Sequence, residues 1–404
     1  MPQSTNLRLW LIVLGLSLGP AVSNGYARFA YGLLLPAMRK DLTWSFTQAG
    51  WINTANAIGY LIGAVLALGL ISRVGARWLF ISGMCVTTAA LLLSGLTRDF
   101  WMLSAWRVLA GIGGAPVFIA GGAIALALFG EDKQKNALAI AVYFGGGGFG
   151  MLLTGIVLPY LVHWFGIAIW PYAWLLLGAA SFVAFLPSYW AAIAAPEPAP
   201  PQADGRWVSL PVLAMSPALI AYFLFGVGYI VYVTFLIAWM RAEGASTALV
   251  AGTWALMGTM VMASPFLWSR VLAAANGGGA IALTSLATGA GILLLLIFSG
   301  PAGALASAAL FGASFFMVPT STTTFGRKNL TGAQWGPSLA LFTAIFSFGQ
   351  IIGPVGAGII ADQTGGPTTG LAAAGLVLLT GAVVGALQRP LGRGPCPKFD
   401  QSVS

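Results

Sequence analysis

The stretch SNGYARFAYGLLLPAM, Ser23 to Met38, places an arginine inside a run that is otherwise apolar enough to cross a membrane. From Leu9 to Pro36 no residue other than Arg28 is charged. At about 1.5 Å per helical residue this run can cross a hydrocarbon core of ~30 Å with some tilt. An arginine in such a run costs roughly 2.5–3.5 kcal/mol on insertion scales, so Arg28 is expected to face a protein-lined cavity and to find a partner there.

The rest of the chain sets the context for that residue. Of 404 residues 58% are hydrophobic and 7% charged, which excludes a soluble globular class and points to an all-α membrane protein. The net charge of +9 does not indicate nucleic acid, because the Lys and Arg residues are scattered between apolar runs without forming a patch. Cys85 lies in an apolar run and Cys396 near the end of the chain, so no disulfide framework or metal motif is implied. His163 is the single histidine, and His-based catalysis or metal binding is not expected. No cofactor and no enzymatic role are anticipated. Ala21-Val22-Ser23 resembles a signal-peptidase site, but the apolar run continues to Met38, and cleavage would leave the first bundle one helix short.

Apolar runs split by short polar punctuation give twelve candidate spans. The first six cover approximately Leu9 to Pro36, Ala49 to Ile71, Trp78 to Leu96, Trp101 to Phe129, Ala137 to Val162 and Ile167 to Tyr189. The other six cover approximately Pro211 to Trp239, Ala248 to Trp268, Gly279 to Phe298, Ala302 to Phe325, Ser338 to Ala361 and Pro367 to Leu387. Between the sets lies the proline-rich break EPAPPQADGR. The reading is a six-helix bundle over 1–190, a linker over 191–209, a second bundle over 210–388 and a tail over 389–404. With the N-terminus placed inside, twelve basic residues fall in inside segments (Arg8, Arg73, Arg77, Lys133, Lys135, Arg206, Arg270, Arg327, Lys328, Arg389, Arg393 and Lys398). Four fall outside (Arg39, Lys40, Arg98 and Arg241), leaving Arg28 and Arg107 within spans. Both termini are therefore expected in the cytoplasm. Weak internal similarity suggests a duplication: Leu70-Ile71-Ser72-Arg73-Val74 is echoed by Leu267-Trp268-Ser269-Arg270-Val271, Gly25-Tyr26 by Gly228-Tyr229, and Gly146-xxx-Gly150 by Gly349-xxx-Gly353.

Over essentially its whole length the chain resembles the major facilitator superfamily. Arg107-Val108-Leu109-Ala110-Gly111-Ile112-Gly113-Gly114 looks like that superfamily's RxxxGxGG-type motif, and Gly353-Pro354 looks like its glycine-proline motif. The loop motif after the second span is degraded, with Leu68 and Ser72 replacing its first glycine and its aspartate, while Arg73, Gly75 and Arg77 remain. Ala27-Arg28-Phe29-Ala30-Tyr31-Gly32 followed by Leu35-Pro36-Ala37-Met38 looks like the YbfB/YjiJ-like branch. The resemblance implies two pseudo-symmetric six-helix bundles, a central substrate site, alternating access, a monomer in a bacterial inner membrane, and an inside gate for which Arg73, Arg77 and Arg270 are candidates.

Helical steps of three and four residues put Ser17, Ala21, Asn24, Arg28 and Tyr31 on one small or polar face. Asn53, Asn56 and Tyr60 repeat the pattern in the second span, and Tyr222, Tyr229 and Tyr232 in the seventh. Arg28, Asn24, Tyr31, Asn53, Asn56, Tyr60, Arg107, Tyr143, Tyr229 and Tyr232 are the candidate substrate contacts. Helix-to-helix hydrogen bonding is the competing role for each. Gly59, Gly63, Gly111 and Gly353 are candidate bending sites. All nine acidic residues fall in loops, tails or span ends, so neither intramembrane arginine has an in-span carboxylate. A cavity with fixed positive charge is expected to attract an organic anion, and a guanidinium suits a carboxylate or phosphonate. Without substrate, Arg28 is expected to lean on carbonyls, Tyr31, Asn24 and water. Coupling then reduces to anion exchange, uniport, or symport with a proton carried by the substrate. Export of neutral or apolar compounds, and a membrane sensor that does not transport, stay open as alternatives.

Overall fold

The computed structural model describes residues 3–198, 209–298 and 300–391. The middle of the linker, most of the tail, and Asp204, Arg206, Arg393, Cys396, Lys398 and Asp400 lie outside the described residues. Among those described, twelve helical spans are long and apolar enough to cross a membrane. They are Asn6–Asp41, Phe46–Val74, Ala76–Ser94, Phe100–Ala127, Lys133–Phe165, Ile167–Ala194, Ser216–Ala242, Thr247–Ala274, Gly279–Ile297, Pro301–Asn329, Gly332–Thr364 and Thr368–Ala386. An even number of spans returns the chain to the side on which it starts, called here the terminus side. Several spans begin on a side-chain cap that satisfies their first amides. Ser45 and Gln48 form a reciprocal capping box, Asp99 accepts from the Met102 amide, and Ser246 accepts from that of Leu249.

The spans match the sequence reading except at ends and at two interior places. The sixth continues to Ala194, inside the stretch read as linker. Just beyond it, the Glu197 carboxylate accepts from the Ala76 and Arg77 amides at 2.5 and 3.3 Å, tying the start of the linker to the first bundle. The tenth span is interrupted at Phe315 and Phe316, between helices Pro301–Ser314 and Met317–Asn329. Pro319 explains the break, because it has no N–H to return to the Phe315 carbonyl four residues earlier. The first span is π-helical from Ala21 to Phe29, all nine residues buried, and the Ala30 amide closes the segment on the Gly25 carbonyl. Pro20 stands at its entrance and likewise removes a helical donor.

Both halves use the same packing device. A Cβ on Gly146 or Gly150 of the fifth span would strike the Ser17 or Ala21 carbonyl of the first. One on Gly349 or Gly353 of the eleventh would strike the Phe223 or Val227 carbonyl of the seventh. The GxxxG echo is therefore a structural repeat, close approach of backbones being what small residues allow inside a membrane. The Gly25-Tyr26 and Gly228-Tyr229 echo does not share this register. Gly59, Gly63 and Gly111 are likewise contact points, abutting the Val108, Ile112 and Asn56 carbonyls within unbroken helices. These positions set helix spacing in this conformation.

The two halves close on the side away from the termini. Asp362, at the end of the eleventh span, accepts from the Phe46 and Thr47 amides at 2.7 and 2.9 Å and from the Thr47 hydroxyl at 2.6 Å, so one carboxylate caps the helix start of the opposite half. The Arg39 guanidinium lies 3.6 Å from the centroid of the Phe46 ring beside this cap. Deeper along the seam the Thr54 hydroxyl donates to the Ile351 carbonyl at 2.8 Å, and the Asn53 amide donates to the Thr234 hydroxyl at 2.5 Å. The fifth and eighth spans meet at Gly148 and Gly258, where a Cβ on either would lie 2.5–2.6 Å from the other's carbonyl oxygen. Toward the terminus side the second span exposes Val65 and Leu66, and the tenth exposes Thr320 and Thr323. An open apolar groove of about 700 Å³ runs there along the first, fifth, sixth and eighth spans, lined by Leu14, Val142, Phe149, Trp190 and Met262 among others, several of them exposed.

Asp362→Asn keeps the shape of the cap but removes its charge and turns one acceptor toward amide donors as a donor itself. The variant is expected to destabilise the closed seam by roughly 1.5–3 kcal/mol. In a background with Cys85 and Cys396 replaced by serine, maleimide labelling of Thr54→Cys from the far side should rise several-fold when Asp362→Asn is added.

Candidate functional site

The site follows from where the first span departs from the ordinary helix. A π turn holds more residues than an α turn, so side chains beyond it rotate out of the register that three- and four-residue steps predict. Arg28 and Tyr31, expected on one face, are thereby parted. The Tyr31 hydroxyl donates to the Ala49 carbonyl at 2.7 Å, and its ring lies 5.3 Å from the Arg107 guanidinium. Arg28 instead sits over Tyr60, its guanidinium carbon 4.8 Å from the ring centroid. The expectation that Arg28 leans on Tyr31 is corrected: Tyr60 of the second span takes that place.

The two arginines have different surroundings. Arg107 is 1% exposed and lies between Tyr31 and Trp174, 5.3 Å from each ring. Its Nη1 donates to the Ala27 carbonyl, its own carbonyl accepts from the Asn56 amide at 3.1 Å, and its Nε and Nη2, like those of Arg28, are buried without a partner. Arg107, Tyr31 and Asn56 form a cluster inside the first bundle. Arg28 is 5% exposed, and its Nε and Nη2 are buried with no hydrogen-bond partner in the protein. It takes part in none of the three ion pairs among the described residues. Asn24, 5% exposed, precedes it in the same π segment.

Facing Arg28 across the seam is the seventh span. Tyr229 donates its hydroxyl to Gln350 Oε1 at 3.0 Å, which leaves the buried Gln350 Nε2 without a partner in the protein. Asn53 Oδ1 and Ser347 Oγ are likewise buried and unpartnered. Tyr229 reaches the π segment through Phe315, whose ring lies 5.9 Å from that of Tyr229 and 6.0 Å from that of Phe29, the neighbour of Arg28. The break in the tenth span meets the π segment from the other half: Phe29 packs edge-on against Phe315 and Phe316, at 6.0 and 6.2 Å between centroids. Backbone that leaves the regular ladder is tolerated at membrane depth only when protein or a cavity surrounds it, and here two such segments lie against each other.

The structure thus sets Arg28 against Tyr60, with Asn24 in the same buried segment, Tyr229 one ring away through Phe315, and Asn53 farther along the seam. It holds Arg107, Tyr31 and Asn56 in the wall behind. Tyr143 donates to the Val117 carbonyl at 2.6 Å and Tyr232 pairs with Ser307 at 2.6 Å, each inside its own bundle. Arg77 reaches Glu197 at 3.6 Å and the Ala192 and Ala195 carbonyls, all in the first half. Arg73 and Arg270 are exposed on the terminus side. Sequence reasoning passed over Gln350, Ser347, Phe315 and Phe316. A lone Gln three residues after a Ser in an apolar run was the available signal for the first two, and Pro319 was the signal for the break.

These contacts predict opposite responses to removing the two arginines. Arg107→Ala takes away a buried charge-assisted hydrogen bond and two cation–π contacts, and is expected to cost on the order of 3 kcal/mol. Arg28→Ala removes a buried charge that has one ring contact, with Tyr60, and no hydrogen bond to offset its desolvation, and should leave the apparent Tm in detergent unchanged or raised. Thermal unfolding of both purified variants checks this.

The comparisons with known proteins agree with this architecture. A family described as "Uncharacterised MFS-type transporter YbfB" matches residues 20–386. The inner membrane transport protein YdhP of Escherichia coli K12 is 29% identical over 127 residues, 31% of this chain and 32% of that protein. The MFS-type transporter YcaD of Escherichia fergusonii is 31% identical over 124 residues, 30% of this chain and 31% of that one. The chain thus spans about a third of the length of these curated relatives. Among solved structures, the nucleoside transporter NupG, as a mutant, superposes with a TM-score of 0.69 at 14% identity, over 93% of this chain and 97% of that one. A bacterial homolog of the human lysosomal transporter Spinster, inward-facing and unoccupied, gives 0.67 at 15% identity, over 95% and 97%. At these identities the likeness establishes the fold alone, and it is the family match over residues 20–386 that places the chain: it is a multi-pass membrane protein of the major facilitator superfamily and belongs to the YbfB-like family of transporters.

Proposed function

We propose that the protein moves a small organic anion by alternating access, with Arg28 as the residue that holds it. The observation that carries this reading is that Arg28 has two buried donor nitrogens without a partner and makes no side-chain hydrogen bond among the described residues, whereas Arg107, with the same two nitrogens unpartnered, is anchored inside the first bundle by the Ala27 carbonyl. A guanidinium in a low-dielectric site is stabilised by an anion that accepts two parallel hydrogen bonds, and a carboxylate has that geometry. The acidic residues nearest the seam do not serve: Asp362 is committed to the Phe46 and Thr47 amides. Asp41 is committed to Arg98 and Trp170.

Without the anion, closing the halves around Arg28 strands its charge. With the anion bound, the charge is neutralised, and contact can extend to Tyr229 and Gln350 of the other half, which favours rocking about the site. A proton, where one is moved, travels on the substrate. In a bacterial inner membrane with both termini cytoplasmic, the terminus side is the inner one and the closed seam faces out. We take the working unit to be the monomer. A second reading, export of neutral apolar compounds, is favoured by the open apolar groove along the first, fifth, sixth and eighth spans.

Uptake into proteoliposomes separates these readings. Arg28→Ala should weaken carboxylate binding by about 100-fold, the loss expected for two charge-assisted hydrogen bonds, and should abolish uptake in a protein that inserts normally. Preference for cationic dyes over every anion tested overturns the organic-anion reading, and accumulation of neutral apolar compounds that is indifferent to Arg28→Ala supports the second.

A further inference from the structure

The rings around Arg28 carry information that its charge alone does not. In the second half the seventh and eleventh spans set their aromatic side chains nearly parallel. Tyr222 stacks on Phe346 at 4.8 Å and 11°, Phe225 on Tyr229 at 4.8 Å and 11°, and Tyr229 on Phe346 at 5.6 Å and 16°. At the break of the tenth span Phe315 extends the array, 5.9 Å and 17° from Tyr229. Phe316 turns out of it, at 62° to Phe315, toward the first span.

Burial within this array is uneven. Phe225, Tyr229 and Phe315 are closed off, whereas Phe346, Phe316 and, on the opposite half, Tyr60 keep part of their surface free. The free ring surface therefore comes from the second, tenth and eleventh spans. Tyr60 lies against Arg28, Phe316 against its neighbour Phe29, and Phe346 against the Tyr229 that faces it. Beside Phe346, Ser347 Oγ and Gln350 Nε2 are the unpartnered polar atoms of the eleventh span. A guanidinium with free N–H groups, bordered by ring surface with few polar groups, suits a ligand charged at one end and flat and apolar at the other. A compact hydrophilic anion would lose water against these rings and gain no partner for it, whereas a flat ring continues the stacking already present.

We propose that the anion is an aromatic carboxylate, its carboxylate on Arg28 and its ring against Tyr60, Phe316 and Phe346. This rests on the organic-anion reading and narrows it.

The test compares benzoate, cyclohexanecarboxylate and acetate by calorimetric binding to the full-length protein in nanodiscs at neutral pH, where all three are ionised. Benzoate and cyclohexanecarboxylate match in charge and carbon number, but only benzoate presents a flat aromatic face. Benzoate is expected to bind about tenfold tighter than cyclohexanecarboxylate, the size of one good ring contact, and acetate weakest. Phe346→Leu and Phe316→Leu should each bring the benzoate to cyclohexanecarboxylate ratio toward one, and Arg28→Gln should remove binding of both. Cyclohexanecarboxylate binding as tightly as benzoate to the unaltered protein overturns the aromatic assignment and leaves the organic-anion reading standing. Binding of benzylamine in place of all three acids, or of none of the acids, overturns both. Because the decisive comparison is made on the unaltered protein, it does not depend on how the variants fold.

Discussion

Inside a bilayer no water is available to complete a broken backbone ladder, so a chain that leaves the α-helix there must be shielded by protein or by an internal cavity. This protein does so in the first span, π-helical over Ala21–Phe29, and in the tenth, interrupted at Phe315 and Phe316. The two places meet, one from each half, through Phe29. Both irregularities adjoin a proline that cannot donate its share of the ladder, and both place aromatic side chains where the two halves meet. The position of Arg28 over Tyr60, and all that is argued from it, depends on that local change of pitch.

The fold was legible because hydropathy and loop punctuation record the bilayer directly. Twelve spans, two sixfold halves and the duplicated GxxxG packing could be read from residue types alone. The site was legible in part, for an equally physical reason. Arg28 declared itself by its cost, Tyr60 by sharing a helical face with Asn53 and Asn56, and Tyr229 by its place in the series Tyr222, Tyr229 and Tyr232. Tyr31 was misplaced because the face was projected with ordinary helical spacing through a segment that is wound differently. Gln350 went unnoticed because its importance lies in the Tyr229 hydroxyl satisfying one end of its amide and leaving the other free. A relation between helices 121 residues apart is not written in the spacing of either.

Arg28 and Arg107 show how one residue type divides its labour when charge is scarce. Arg107 is held by the Ala27 carbonyl and two aromatic faces, and it fastens the first, fourth and sixth spans together. Its placement satisfies enough of the guanidinium for the residue to be structural. Arg28, the residue after Ala27 on the first span, has a ring on one side and no hydrogen bond to the protein among the described residues, whereas Arg107 shares its two unpartnered nitrogens but keeps the Ala27 carbonyl. Both belong to the same first bundle, and away from the Asp362 cap the second bundle contributes rings, an amide and hydroxyls to the seam. That asymmetry inside a duplicated architecture means the halves have diverged in chemistry while keeping their packing.

The far-side closure has a different kind of economy. Asp362 holds the opposite half through three bonds, two of them to main-chain amides at Phe46 and Thr47. Every amino acid except proline carries that donor, so inherited changes at those two codons leave most of the latch intact. Asp362 alone supplies the carboxylate. The latch is thus robust to drift on one side and dependent on a single codon on the other, and in a lineage of such proteins the two sides would be expected to age at different rates.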